Sequence, residues 1–158
     1  MKKRLAQIGT GLSGSALGGK FYHRVCRPID RVLIPLTRGR LALGPPGQTV
    51  LITMLGARSG KRRQAVVAFQ WEADEMVIIA SKGGSPKHPA WYHNLKAHPK
   101  VTVQYRGVRE ERVAREATAD ERDRLYDRMA AEFVTFSAYQ ARAGKRRIPV
   151  MLLAPAAS

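Results

Sequence analysis

The sequence predicts a mainly β fold, a small barrel of about six antiparallel strands with a few flanking helices. Six short runs of β-branched or apolar residues, each bounded by turn residues, predict the strands. Segments with helical periodicity are few, which favours a barrel over a doubly wound sheet. The 158 residues are 44% hydrophobic and 25% charged, a balance typical of a globular domain that needs no disulfide or structural metal.

Residues 1–43 are predicted to form a basic N-terminal arm, and residues 44–158 the barrel domain. Nine side chains in the first 40 residues are basic, and one is acidic. From residue 21 to residue 36, apolar residues recur at helical spacing with arginines between them. Pro28 should interrupt or kink such a helix. The Gly-Pro-Pro-Gly sequence at 44–47 ends the arm.

Two interpretations of this arm stay open. It is either a helix that caps the barrel with its arginines in solvent, or a segment that docks on an anionic membrane. Glycines and serines interrupt the apolar segment after the basic N-terminus, so a cleaved signal peptide is not expected. The sequence thus predicts a cytoplasmic protein, and the second interpretation adds peripheral contact with the inner face of the plasma membrane.

The strands follow the Gly-Pro-Pro-Gly sequence in order, and short turns connect several of them. A four-residue connection at 72–75 predicts a hairpin between the second and third strands, and Gly107 turns the fourth strand into the fifth. The predicted strands are 49–55, 64–71, 76–80, 101–105, 108–117 and 148–153.

A helix is predicted between the last two strands. Thr118 and Glu121 have the spacing of a capping box, in which each side chain accepts a hydrogen bond from the other residue's amide. Leu125, Met129 and Phe133 then recur on one helix face. We expect that face to pack against the barrel.

The loop at 56–63, Gly-Ala-Arg-Ser-Gly-Lys-Arg-Arg, is a candidate anion site. Its two glycines allow successive amides to point at one anion, and four cations surround them. It is not a Walker A loop, because only three residues separate the glycines and an arginine follows the lysine. The alternative is a solvated basic hairpin loop.

The segment 80–95 is the second candidate. It leaves a buried strand, passes two glycines and enters a short helix after Pro89. The glycines permit close approach of a flat ligand, and a serine and a lysine supply hydrogen-bond donors. Trp91 and Tyr92 either line a planar ring or belong to the core, and the residues alone favour neither interpretation.

Metal and acid–base chemistry are poorly supported. His88, His93 and His98 are five residues apart, which does not place them on one helix face, so no metal site is expected. No carboxylate occurs between Glu75 and Glu110, across the whole candidate site. Cations, glycines and aromatic residues without an acid or a metal indicate that a cofactor supplies the reactivity.

Three stretches of the sequence closely resemble the deazaflavin-dependent nitroreductase family. They are GARSGKRRQAVVAF, ASKGGSPKHPAWYHNLKAHPKVTV and the late AYQ…RRIPVMLLAP, and together they span roughly residues 44–155. The family comprises FMN-binding-like split β-barrel enzymes that use coenzyme F420 in mycobacteria and other actinobacteria. The resemblance therefore implies a split barrel and an F420 cofactor in its reduced form.

The resemblance also implies a set of cofactor-binding residues. In relatives the Arg-Ser-Gly-Lys-x-Arg loop binds the deazaflavin phosphate and its glutamate tail. The Ala-Ser-Lys-Gly strand end lies along the deazaflavin ring, and the following helix closes the groove. By position these residues are Arg58, Ser59, Gly60, Lys61, Arg63, Ala80, Ser81, Lys82, Gly83, Pro89, Trp91, Tyr92 and Asn94.

The implied reaction is hydride transfer from reduced F420 to a quinone, a nitro compound or a similar electrophile. Relatives that act on nitroimidazoles carry tyrosines in the helix before the last strand, where this chain has Phe133, Phe136 and Tyr139. These three residues are the predicted acceptor pocket. Tyr139 is expected to orient or protonate the acceptor, with Ser81 as the second catalytic candidate. The two phenylalanines weigh against nitroimidazole activation.

Other functions remain open from the sequence. A formal net charge of +16 predicts a polyanionic partner of some kind. The same fold could bind FMN or a heme-related group, or could carry a cofactor without turnover. A nucleic-acid-binding barrel is disfavoured, because such domains place aromatic residues on strands among cations. Here Trp91 and Tyr92 fall on a predicted helix, and only Tyr105 lies on a basic strand.

Overall fold

The computed structural model describes residues 22–44 and 47–157. The start of the basic arm and the two prolines of the Gly-Pro-Pro-Gly sequence lie outside the described residues. A π-helical turn, Tyr22–Cys26, leads into the first helix. The elements are α1 (Arg27–Leu36), β1 (Thr49–Leu55), β2 (Arg62–Glu72), β3 (Glu75–Ile79), a 3-10 turn (Lys82–Gly84), α2 (Ala90–Ala97), β4 (Lys100–Tyr105), β5 (Val108–Glu116), α3 (Ala119–Glu132), α4 (Thr135–Arg142) and β6 (Val150–Pro155).

The six strands form a closed antiparallel barrel in the order β1-β2-β3-β6-β5-β4, with β4 pairing back onto β1. The predicted barrel, its six strands and the β2–β3 hairpin are confirmed. The last strand begins two residues later than the predicted start at residue 148. Ile148 donates its amide N–H to the Gln140 side chain instead of a strand, and Pro149 has no N–H to donate.

Alternation along the strands separates two hydrophobic clusters. Side chains such as Ile52 and Ile78 fill one cluster together with Trp91 and Leu95 of α2. The opposite face of β3 and β6, including Val77, packs against α3 and α4 in the second cluster. The barrel therefore has α2 on one hydrophobic cluster and the α3–α4 pair on the other.

The predicted capping box at the start of α3 is confirmed. Thr118 Oγ1 accepts the Glu121 amide at 3.4 Å, and Glu121 Oε2 accepts the Thr118 amide at 2.9 Å. Leu125, Met129 and Phe133 are all buried, as their spacing predicts. The capping box thus fixes where α3 leaves β5, and its apolar face holds it on the barrel.

Helix α1 lies on the outside of the barrel. Pro28 is in its first turn, where a missing N–H is tolerated. The predicted interruption is therefore a change from π-helical to α-helical geometry, not a break. Ile34 is buried with Leu51 and Val66 of the barrel, and the buried Asp30 carboxylate accepts the Leu43 amide at 2.7 Å. Among the described residues, no helix has the length and hydropathy needed to cross a membrane.

Candidate functional site

A cavity of about 1530 Å³ lies where α1, the β1–β2 loop, the end of β3 and α2 meet. Its described lining contains no aspartate or glutamate. Two histidines, His88 and His93, also line it. The cationic lining residues are Arg27, Arg31, Arg58, Arg62, Arg63 and Lys82. A cavity with this composition attracts anions, and nothing along its described lining opposes them by charge.

The β1–β2 loop is a closed turn held by its own backbone. The Gly56 amide donates to the Lys61 carbonyl at 2.8 Å, and the Gly60 amide donates to the Gly56 carbonyl at 2.9 Å. A Cβ atom on Gly56 would lie 2.8 Å from Ser59 Oγ, so only glycine fits there without a shift. As the sequence predicts, the segment after the loop is a strand, which places the loop at one end of the β1–β2 hairpin.

Asn94 attaches this loop to α2. Its Oδ1 accepts the Ala57 amide at 2.9 Å. Trp91 and Leu95, on the same helix, are buried in the hydrophobic cluster that α2 shares with the barrel. Because α2 is fixed by these two side chains, the single hydrogen bond from Ala57 fixes the position of the loop relative to the barrel.

Arg146 holds the segment that follows β3, and sequence analysis did not identify it. Its Nε donates to the Ser85 carbonyl at 2.8 Å, its Nη1 to the Ala80 carbonyl at 3.1 Å, and its Nη2 to the Ser81 carbonyl at 2.6 Å. Burial lowers the pKa of Arg146 below its ordinary value. One guanidinium therefore ties three carbonyls of the glycine-containing turn to the chain just before β6.

The same guanidinium reaches His88 at the cavity wall. Arg146 Nη1 lies 3.1 Å from His88 Nδ1. The imidazole ring packs on Tyr92, with ring centroids 4.6 Å apart, and on His93 at 5.8 Å. Burial lowers the pKa of His88, the positive charges of Arg146 and His93 lower it further, and Glu116 opposes them.

Tyr92 directs its hydroxyl away from the cationic side chains of the cavity. It donates to the Glu116 carboxylate at 3.1 Å, and Lys96 Nζ lies 2.5 Å from the same carboxylate. Burial raises the pKa of Tyr92, and the hydrogen bond to Glu116 raises it further. The hydroxyl thus helps to join α2 to β5, while the ring supports His88.

A comparison with known protein families identifies the family of this chain. Residues 36–155 match the family model for F420H(2)-dependent quinone reductases. The chain belongs to this family. The resemblance to F420-dependent oxidoreductases that three stretches of the sequence indicate is thereby confirmed.

Relatives of the F420H(2)-dependent quinone reductase family include two proteins of Mycobacterium tuberculosis. A putative F420H(2)-dependent quinone reductase is 31% identical over 110 residues, which cover 70% of this chain and 92% of that protein. An F420H(2)-dependent quinone reductase is 39% identical over 69 residues, covering 42% of this chain and 46% of that protein. This match thus spans about half the length of that relative.

Solved structures agree with the family and the fold. An F420-H2 dependent reductase, FDR-A, aligns with a TM-score of 0.61 and 37% identity, over 67% of this chain and 93% of that one. The heme-storage protein HutZ of Vibrio cholerae aligns with a TM-score of 0.50 and 12% identity, over 71% of this chain and 84% of that one. The second likeness shows the shared fold alone.

The structure brings most of the predicted cofactor-binding residues of this quinone reductase family member to one cavity. Those that line it are Arg58, Ser59, Arg63, Ser81, Lys82, Pro89, Trp91 and Asn94. The others adjoin these residues in the chain but are not part of the lining; they are Gly60, Lys61, Ala80, Gly83 and Tyr92. Their assigned roles stay predictions.

The predicted acceptor pocket lies elsewhere. Phe133, Phe136 and Tyr139 are buried in the cluster between α3, α4 and the barrel, and none of them lines the cavity. The reason is that α4 packs behind the Lys82–Gly84 turn, so that a Cβ atom on Gly84 would lie 2.7 Å from the Tyr139 carbonyl oxygen. The structure therefore places Tyr139 as a support of this turn, and its contact with an acceptor stays a prediction.

Several residues that line the cavity of this family member were not among the predicted site residues. Arg27 and Arg31 were assigned only to the basic arm, yet α1 brings them to the cavity beside Arg62. Their helical spacing of four gave a signal that both lie on one face of α1. His88 gave no signal beyond its position, and Arg146 was visible only as part of the RRIPVMLLAP stretch.

Proposed function

We propose that this protein is an F420H2-dependent oxidoreductase that binds the reduced deazaflavin in the cationic cavity. The hydride acceptor would be a quinone, a nitro compound or a similar electrophile. The observation that carries the proposal is the cavity lining, in which six cations and no described carboxylate accompany the buried Trp91 and the half-buried His88. A flat ring system with a phosphate and carboxylates fits this combination.

The β1–β2 loop would hold the anionic end of the cofactor. The guanidinium groups of Arg58 and Arg63 line the cavity here, together with the Ser59 side chain. Arg58, Ser59 and Arg63 are all exposed, so an entering phosphate reaches them without rearrangement of the core. Guanidinium groups suit this role because they form paired hydrogen bonds with phosphate and carboxylate oxygens.

The segment after β3 would hold the ring. Ser81 and Lys82 line the cavity where the chain turns at Gly83, which has a φ of +63°. Pro89 and Trp91 form the adjoining wall at the start of α2. Because Arg146 fixes the carbonyls of this segment, its backbone is preorganised before a ligand arrives.

The positions of these residues indicate which tasks would belong to the cofactor and which to the protein. Reduced F420, when bound, supplies the hydride. The β1–β2 loop would bind the anionic groups of the cofactor, the preorganised turn after β3 would hold its ring, and the remaining cavity would orient the acceptor. The described lining offers no carboxylate as a general acid, which fits a reaction in which the chain positions the reactants.

A fluorescence titration with F420 tests the cofactor, with FMN and single-stranded DNA as competing ligands. Arg63 lines the cavity and Lys61, two residues away, does not. We expect Arg63→Ala to raise the Kd for F420 roughly ten- to a hundredfold, as loss of a charge-assisted hydrogen bond predicts. Lys61→Ala should raise it less than about threefold, because Lys61 does not line the cavity and would act on the cofactor only through solvent. Preferential binding of FMN or DNA by the wild type would contradict the proposal.

Stopped-flow oxidation of bound F420H2 by a soluble naphthoquinone tests turnover. A quinone reductase should return the cofactor to its oxidised, fluorescent form in a quinone-dependent phase. Tight F420 binding without this phase, for quinones and nitro compounds alike, would indicate a carrier.

A second proposal concerns α1 and rests on its exposed face. Val25 of the preceding π-helical turn continues an apolar stripe formed by Ile29, Val32 and Leu36 of α1. The exposed fractions of the four residues are 39%, 46%, 61% and 78%. Arg31, on the same helix, is also exposed. An apolar stripe beside arginines matches the headgroup region of an anionic membrane. We propose that α1 contacts the inner face of the plasma membrane peripherally, which would bring the cavity near lipid-soluble quinones.

Vesicle sedimentation tests this contact. The full chain should sediment with phosphatidylglycerol vesicles at low salt and be released as salt rises, because salt screens the arginines. Val32→Asp should lower the bound fraction several-fold, whereas Val134→Asp should not. Val134 is a matched control, because it is 73% exposed and lies outside α1. No sedimentation of the wild type at low salt would overturn the proposal.

A further inference from the structure

His88 is a cavity residue whose protonation state the structure constrains. Arg146 Nη1 lies 3.1 Å from its Nδ1 atom. A guanidinium only donates hydrogen bonds and stays protonated, so Nδ1 must be the acceptor. The one proton of the neutral imidazole is then on Nε2, at the opposite side of the ring. Arg146 is itself fixed by three backbone carbonyls, so its hold on the ring is rigid.

The charges around the ring favour the neutral form. Arg146 faces it with positive charge, His93 packs on it with its ring, and Tyr92 packs on it with its hydroxyl directed to Glu116. Glu116 is the one carboxylate that favours the charged form, and its negative charge is shared with Lys96 and the Tyr92 hydroxyl. Burial adds to the positive neighbours in lowering the pKa of His88.

We propose that His88 is a neutral, fixed hydrogen-bond donor whose Nε2–H binds a carbonyl oxygen of the ligand in the cavity. A carbonyl that gains negative charge during hydride transfer is the chemistry such a donor recognises. The oxygen belongs either to the ring of the cofactor or to a quinone acceptor. His88 would be a binding and positioning residue in either case, since a neutral imidazole holds a developing oxyanion without giving up its proton. The identity of the ligand, but not the state of His88, rests on the proposed function.

The state of His88 can be measured without any ligand. Long-range 1H–15N spectra of the full chain, labelled at histidine, distinguish the two neutral tautomers and the imidazolium. Signals of His88 are those that disappear in His88→Gln. We expect Nδ1 to be unprotonated and Nε2 protonated at pH 7.5, and the imidazolium to form at a lower pH than in a solvent-exposed histidine. A proton on Nδ1 at pH 7.5, or an imidazolium that forms at the pH of a solvent-exposed histidine or above it, would overturn the proposal.

Two substitutions then test the ligand contact. His88→Gln keeps an N–H donor on a side chain of similar reach, and His88→Leu keeps the volume but removes the donor. Loss of one hydrogen bond to a carbonyl predicts that His88→Leu raises either the Kd for F420 or the KM for the quinone about five- to tenfold. In His88→Gln the same constant should stay within about twofold to threefold of the wild-type value. His98→Leu is the control for loss of a histidine, because His98 ends α2 and does not line the cavity.

The quantity that changes identifies the oxygen. A raised Kd for F420 assigns the hydrogen bond to the cofactor ring, and a raised KM for the quinone with an unchanged Kd for F420 assigns it to the acceptor. Equal values in His88→Leu and wild type for both quantities would overturn the contact. Failure of the wild type to bind F420 would instead refute the proposed cofactor, while the spectra would still decide whether His88 is a neutral donor.

Discussion

Asn94 is a single side chain on which two parts of the cavity wall depend. It lines the cavity and accepts the Ala57 amide at 2.9 Å, so it connects α2 to the cationic loop. The family resemblance assigned it to cofactor binding, which its place in the lining allows. The structure adds the second connection, which acts whether or not a ligand is bound.

Substitution of Asn94 should separate these two effects. Asn94→Ala removes the acceptor for the Ala57 amide, so the β1–β2 loop is no longer attached to α2. The Kd for F420 should therefore rise about five- to tenfold. Asn94→Asp keeps an acceptor but adds a carboxylate to the cationic cavity, so it should retain the melting temperature and weaken F420 binding more strongly. Fluorescence titration and thermal unfolding measure both. An unchanged Kd in Asn94→Ala would show that the loop does not need this hydrogen bond.

Gly84 is required by both backbone conformation and space. Its φ is +79°, and an added Cβ atom would lie 2.7 Å from the Tyr139 carbonyl oxygen and 2.8 Å from Arg142 Cβ. Gly84→Ala should therefore lower the free energy of unfolding by about 2–4 kcal/mol, from backbone strain and overpacking together.

Gly144 provides the matched control for this substitution. Its φ is +60°, but a Cβ atom there would meet nothing within 4 Å. Gly144→Ala should cost only the backbone strain, about 1–2 kcal/mol. Urea unfolding of the two variants measures the difference. Equal losses would mean that α4 moves away from the turn at little cost.

The sequence predicts side-chain contacts correctly where the two partners are close in the chain. Thr118 and Glu121, three positions apart, were paired correctly from spacing alone. The partners of the Arg146 guanidinium are 58 to 66 positions away, and one side chain among 28 lysines and arginines gives no local signal. The packing of Tyr139 behind Gly84 also depends on residues far apart in the chain, and its contact with an acceptor stays a prediction.

At the scale of elements, the start of α3 combines a capping box with an ion-pair network. Arg115 of β5 lies between two carboxylates, 2.7 Å from Glu75 and 2.9 Å from Glu121. The hydrogen bonds from Arg115 and from the Thr118 amide lower the pKa of Glu121 to about 2. Two strands, β3 and β5, and the helix α3 are joined at this one arginine.

This network predicts a pH dependence of stability. The pKa of Glu121 is lowered on folding, so its contribution is present above pH 4.5 and is lost as the pH falls towards 2. Glu121→Gln keeps the capping box but removes the charge. It should lower the free energy of unfolding at pH 7 by less than about 1 kcal/mol, because the pair is largely exposed. Urea unfolding at pH 7 and pH 2 measures this; a deficit that persists at pH 2 would assign the effect to the cap.

Element positions were predicted well where the sequence alternates and less well where long-range packing decides. All six strands follow from apolar runs with turn residues between them, and α2 from Pro89 and the residues after it. The side of the barrel that α1 covers was not predictable. Ile34, buried on Leu51 and Val66, has the same apolar character as the exposed Val32.

For the whole molecule, the charged side chains that give the net charge of +16 are unevenly distributed. Acidic side chains with described ion pairs belong to β2, β3, β5 and α3, and none lines the cavity. They are Glu72, Glu75, Glu110, Glu116, Glu121 and Asp123. The described cavity lining, by contrast, carries six cations and no carboxylate, so an anion would approach there. Composition predicted a polyanionic partner, and the fold determines which surface meets it.

The strand order has a consequence for synthesis of the chain. β6 lies between β3 and β5, so residues 150–155 supply the last two pairings that close the barrel. During synthesis, the edges of β3 and β5 that pair with β6 stay unpaired until residues 150–155 have left the ribosome. Those edges carry side chains that are buried in the finished barrel, such as Val77 and Ala114. A chain that terminates between β5 and β6 would therefore have an open sheet with unpaired strand edges and exposed apolar side chains. Such a sheet is prone to aggregation and to binding by chaperones.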